Sequence, residues 1–200
     1  MKTIKSFNEF MNENHTEQSI NEAVAHESQE ELLIEHWEGD GVQVVSSINE
    51  ASGEKTSNQI TGIFAQAELR NRNGRIYPRA VLEKAVADYL EYHEANQIPM
   101  YGELNHPNRL NVDPMRAVIQ IDELHWEGNN LMGTATVLEG DGAQGDVLMN
   151  LIRKGKWFPG VSTRGIGRVV DGVVQEGYKI AAVVDVVSSP SAISAFVSLK

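Results

Sequence analysis

Apolar and β-branched residues become dense in this chain only from about residue 60, and that step in texture decides where a core can form. Residues 1–59 hold 12 acidic and 3 basic side chains, a net charge of −9. The remaining 141 residues account for only −2 of the total −11. The acidic segment has no proline, few aromatics and no sustained apolar face, so burial within it cannot offset its own ordering entropy. It reads as an extension or pro-segment, with 41% hydrophobic content over 200 residues leaving enough for one sizeable core beyond it.

With no cysteine the chain has no disulfide framework, no thiol nucleophile and no cysteine-ligated metal. Its longest apolar runs fall far short of a membrane span. The opening "MKTIKSFNEFMNEN" interrupts its apolar positions with Asn and Glu, which is unlike a secretory signal. Ile4, Phe7, Phe10 and Met11 recur at spacings of three and four, as in a short amphipathic helix that docks on a partner, or one that frays without one.

From residue 60 the pattern alternates between strand and helix. "ITGIFAQAEL" (60–69) predicts a strand and "NRNG" (71–74) a turn. Pro78 stands where a first helical residue belongs, followed by Val81, Leu82, Ala85, Val86, Tyr89 and Leu90 at helical spacing. The stretch 117–138 predicts a hairpin turned at Gly-Asn-Asn, and 145–155 a second helix closed by basic residues and glycine. Strands are predicted in 160–170, 177–187 and 192–199. Two or three helices against about six strands predict an α+β domain, its mixed or antiparallel sheet curved into a barrel.

Three residues carry possible chemistry. His106, in "YGELNHP", lies in a polar stretch bounded by Gly102 and Pro107, where an isolated histidine is commonly a surface residue or a cap. With Glu103 it forms Glu-x-x-His, but the flanking Gly and Pro disfavour the helix that would turn both toward one metal ion, and His125 reads as strand structure, so no metal is expected. Ser162, in "PGVSTRGIG", has a basic neighbour and glycines whose exposed N–H groups suit an oxyanion, although such stretches are often plain turns. A serine hydroxyl needs a base, and His106 is the candidate. Asp185 is one charge inside the apolar run "AAVVDVV"; buried, it needs a partner, and otherwise it points outward on an edge strand.

Taken together, "GIFAQAELRNRNGRIYP", "GELNHP", "NVDPMRA", "LEGDG", "PGVSTRG" and "VVDVVSSPSA", in this order and spacing, resemble the prohead core protein proteases of T-even-type tailed bacteriophages from about residue 31 to the end. Those enzymes are serine peptidases, distantly similar in fold to the herpesvirus assemblins, and digest the internal scaffold of the procapsid. The resemblance implies an assemblin-like protease domain over 51–200, with His106 as base, Ser162 as nucleophile and Asp185 as third member. Glu103 stays in reserve for the third role, because herpesvirus relatives use a histidine there. The resemblance also implies that N–H groups near Arg164 and Gly165 face the oxyanion, and that no cofactor takes part.

Members of that family cleave after glutamate in Leu/Ile-x-Glu, and this bears on a duplicated pentapeptide. "SINEA" stands at 19–23 and again at 47–51, and "LLIE" ends at Glu35. The resemblance therefore implies self-cleavage after Glu22, Glu35 and Glu50, residues 1–50 being a largely extended pro-segment whose first 22 residues target the procapsid. Arg70, Arg72, Arg75 and Arg164 are the candidate cations for the substrate glutamate. Implied partners are scaffold and core proteins, the major capsid protein, the chain's own N-terminal segment and other copies of itself in a homo-oligomer. The implied place is the assembling prohead in the host cytoplasm. A net charge of −11 weighs against nucleic-acid binding, and no membrane partner is expected. Two competing readings are a non-catalytic core protein cut by another enzyme and a metal-dependent hydrolase built on Glu103 and His106.

Overall fold

The computed structural model describes residues 30–35, 58–140, 143–155 and 159–199. The duplicated SINEA, Glu22, Glu50 and the amphipathic start lie outside them. Ten strands and two α-helices are described: β1 (Glu31–Ile34), β2 (Gln59–Gln66), α1 (Arg79–Asn96), β3 (Tyr101–Glu103), β4 (Ala117–Glu127), β5 (Asn130–Val137), α2 (Gln144–Arg153), β6 (Gly160–Gly167), β7 (Val169–Val170), β8 (Val173–Val174), β9 (Lys179–Val187) and β10 (Val197–Leu199). Pro78 caps α1 and does not begin it. It lacks an N–H and is extended at φ −57°, ψ 141°, so it marks the boundary that its chemistry predicts.

One sheet runs β10-β2-β5-β4-β3 and a second β1-β6-β9, every neighbouring pair antiparallel. A two-stranded ribbon, β7-β8, stands apart from both. β4 and β5 form the expected hairpin, turned at Gly128–Asn129. The expected barrel is corrected. Among the described residues the two larger sheets are hydrogen-bonded to each other at single bridges, Leu104 to Val186 at one end and Gly160 to Phe196 at the other, so their ladders do not join into a closed wall. β3 has three residues and β10 three, too short to carry a continuous ladder across either seam. For the same reason the strand expected over 192–199 shrinks to its last residues.

Leu82, Ala85, Val86, Tyr89 and Tyr92 form the buried stripe of α1, which packs on β9. From Ile180 to Val187 every residue of β9 is buried, the signature of a strand covered on both faces. α2 turns Leu148, Met149 and Ile152 inward beside β4 and β5. β9 therefore crosses the middle of the molecule, and anything polar on it must find its partners there.

Candidate active site

Asp185 is that polar residue, with no exposed surface. One carboxylate oxygen accepts from His106 Nδ1 at 2.8 Å and from Arg164 Nε at 2.8 Å. The other accepts from the Glu103 N–H at 2.9 Å and from Arg164 Nη2 at 3.4 Å. Burial pushes the Asp185 carboxyl up, but hydrogen bonds from His106 and Arg164 and the nearby guanidinium charge outweigh it, holding the group below its ordinary value. Nδ1 of His106 thus faces an ionised acceptor and donates to it. Nε2 is buried and has no hydrogen-bond partner among the described residues.

The chain delivers His106 through a strained turn. After β3, Asn105 and His106 take positive φ values of 53° and 25°, before Pro107. Such backbone costs on the order of 1–3 kcal/mol per residue and persists where surrounding contacts hold it. Here the Asn105 N–H donates to Val186 O at 2.9 Å, and His106 is locked onto Asp185.

Ser162 lies directly opposite Asp185 in the β6–β9 register and is 1% exposed. Its hydroxyl donates to the main-chain carbonyl of Glu35, not to His106. β1 pairs with the open edge of β6, Leu33 opposite Gly165 and Ile34 opposite Arg164, which brings Glu35 to the serine. Period-two alternation then turns Leu33 and Glu35 to the same side, where they are 0% and 2% exposed. The Glu35 carboxylate receives Asn71 Nδ2 at 2.5 Å, Asn73 Nδ2 at 3.1 Å and Ser191 Oγ at 2.8 Å on one oxygen. Arg75 Nη1 at 3.1 Å and the Tyr77 hydroxyl donate to the other. Burial, with Tyr178 and Glu35 nearby, raises the Tyr77 phenol well above its ordinary value, so it stays a donor.

The remaining residues singled out in the sequence separate by position. Arg164 is fully buried, its guanidinium shared among Asp185, Glu103 Oε2 at 3.0 Å and the carbonyls of Arg109 and Leu110, so its charge faces away from Glu35. Glu103 is held by Arg109 and Arg164 and reaches Asp185 through its N–H; the carboxylate on His106 is that of Asp185. Gly165 has no room for a side chain, because a Cβ would lie 2.4 Å from Lys179 O across the ladder. Of the four arginines weighed as partners for a glutamate, Arg75 meets the Glu35 carboxylate, whereas Arg70 bonds Gly74 O and Arg72 bonds Pro190 O. Asn71, Asn73, Tyr77 and Ser191 escaped the sequence reading; the one available signal was the density of amides in "NRNGRIY", which turn chemistry explains equally well. His125 is half exposed beside Glu123 and Glu127. Among the described residues no three His, Cys, Asp or Glu side chains converge to hold a metal ion, and no described helix is long and apolar enough to cross a membrane.

Comparison with known proteins gives a consistent result. Residues 31–200 match the family described as prohead core protein serine protease. A curated relative, the prohead core protein protease of Enterobacteria phage T4, is 46% identical over 181 residues, covering 85% of this chain and 84% of the relative. The solved structure of the bacteriophage T4 capsid assembly protease superposes with a TM-score of 0.67 at 44% identity, over 81% of this chain and 99% of that one.

Proposed function

This chain belongs to the prohead core protein serine protease family, and from that premise we propose that it is a serine endopeptidase that removes its own N-terminal segment and then digests scaffold and capsid proteins inside an assembling phage prohead. The observation that carries this reading is the carbonyl of Glu35 against the Ser162 hydroxyl, with Leu33 and the Glu35 side chain both buried. Leu33-Ile34-Glu35 is a Leu-x-Glu sequence bound as an added edge strand, the way a peptide substrate binds by β-augmentation.

In the proposed reaction His106 Nε2 takes the proton of Ser162 Oγ, and Oγ attacks the Glu35 carbonyl carbon. Asp185 keeps the imidazole in the Nδ1–H tautomer and stabilises the cation that forms. The tetrahedral adduct collapses as the same imidazolium protonates the His36 nitrogen, which leaves as a new N-terminus. Water, deprotonated by His106, then hydrolyses the ester and frees a fragment ending at Glu35. Before the cut the tether holds its own sequence at an effective concentration of about millimolar, which shuts out other substrates. After the cut that advantage is gone. Further cuts after Glu22 and Glu50 complete removal of residues 1–50 and leave 51–200 as the mature protease.

The test is intact mass over time for the full chain and for Ser162→Ala. Species beginning at His36, and at Ala23 and Ala51, should accumulate from the first only, with a rate contrast of roughly 10⁴-fold or more. Equal trimming of both chains removes Ser162 from the role of nucleophile. A wild-type chain that stays whole while another phage protease cuts it favours the non-catalytic core protein.

A further inference from the structure

The Glu35 carboxylate is met by donors alone, five of them from five residues, while a carboxylate offers about four lone-pair sites. Only Arg75 among the five is charged, and it is 22% exposed. Four of the five lie on one loop between β2 and α1. That loop closes on itself, with the Asn71 N–H on Arg75 O at 2.8 Å and the Arg75 N–H on Asn71 Oδ1 at 2.9 Å. These two bonds tie the loop together independently of the carboxylate.

Ser191 differs from the other four in touching both ends of Glu35. Its Oγ donates to the carboxylate at 2.8 Å, while its N–H donates at 3.2 Å to the carbonyl oxygen that also receives Ser162. Negative charge grows on that oxygen during acyl transfer, and a main-chain donor already aimed at it stabilises the transition state. Ser191 is itself held by Arg72, whose N–H donates to Ser191 O at 2.9 Å and whose Nη1 donates to Pro190 O at 2.8 Å. Pro190 sits so close over Gly160 that a Cβ there would lie 2.3 Å from the ring. The loop and the Pro190–Ser191 segment are thus joined through both ends of Arg72.

We propose that Asn71, Asn73, Arg75, Tyr77 and Ser191 form the specificity pocket for the glutamate at the cleavage position, and that Ser191, through its N–H on the carbonyl oxygen, couples recognition of that carboxylate to the chemical step. This rests on the protease reading above. Arg72 is then a positioning residue that acts through the Ser191 main chain. The glutamate side chain contributes to the rate of the chemical step as well as to binding, because the group that reads it also fixes the oxyanion donor.

Two readouts on the full-length chain separate this pocket from the protease reading. In a Ser162→Ala background, hydrogen exchange at the amides of residues 31–34 reports docking of β1 without any catalysis. Glu35→Gln or Arg75→Gln should lower that protection on the order of 10- to 100-fold, and Arg75→Gln should add little once Glu35→Gln is present. Protection unchanged by Glu35→Gln and by Glu35→Ala overturns the pocket, whatever becomes of catalysis. In the active chain, Arg72→Ala should slow the cut after Glu35 by roughly 10-fold or more and slow it less where Gln stands at 35, with docking retained and Arg72→Lys restoring part of the rate. A cut that slows only in proportion to lost docking, or does not slow, overturns the coupling through Ser191. Continued cutting by Ser162→Ala instead refutes the protease reading and leaves the exchange result to judge the pocket.

Discussion

A carboxylate with no exposed surface depends on its partners, and Asp185 draws on His106, Arg164 and the main chain of Glu103. Charges balance within the cluster: Asp185 and Glu103 against Arg164 and Arg109. Asp185→Asn should leave Glu103 alone against Arg164 and Arg109, one buried positive charge in excess, lowering unfolding free energy by about 3–5 kcal/mol in urea titration. It should also slow the proposed self-cleavage by roughly 10⁴-fold, since an amide no longer fixes the imidazole tautomer. The need for a partner was legible in "AAVVDVV", because one acid among seven otherwise apolar positions must be satisfied. The role of Arg164 was not legible, since an arginine beside a serine reads equally as a contact for substrate charge. Its five donors instead supply what two buried carboxylates require.

At the scale of elements, β1 is held by its ladder to β6, by Leu33 and by Glu35. Leu33→Ala removes a fully buried side chain from the core, which should weaken docking by about 2–3 kcal/mol. The expected readout is a cut after Glu35 slowed by roughly 30- to 150-fold, with cuts after Glu22 and Glu50 less affected. Gly165→Ala acts from the other strand. Its Cβ would press on Lys179 O and on the Tyr178 ring, so β6 and β9 must part; an apparent loss of about 1–3 kcal/mol in thermal or urea unfolding is expected. α1, α2, the β4–β5 hairpin and β9 were readable from periodicity and turn residues because their signals are local. β1 was read as a cleavage sequence, but a four-residue strand exists only by pairing with an edge, and no local pattern names that edge.

Across the whole molecule, acid should weaken the buried centre through Asp185. The folded-state pKa of Asp185 lies below its unfolded value of about 3.9. Its contribution to stability is therefore fully present above that unfolded value and is lost as pH falls through the folded one. Urea midpoints measured from pH 6 downward should decline below about pH 4 more steeply for wild type than for Asp185→Asn, which lacks this titration. Residue chemistry and short-range spacing were enough to reveal the acidity of residues 1–59, the helices and most strands, the resemblance to a protease family, and Ser162, His106 and Asp185 as the residues to weigh. These follow from side-chain chemistry and from spacings within a few turns of chain. Tertiary structure alone decided that the sheets stop short of a barrel, that the guanidinium of Arg164 faces inward, and that Asn71, Tyr77 and Ser191 converge on Glu35. Tyr77 lies 42 positions from Glu35 and Ser191 lies 156 away; contacts across such separations form only when packing closes the loops between them, and nothing in a local pattern carries that information.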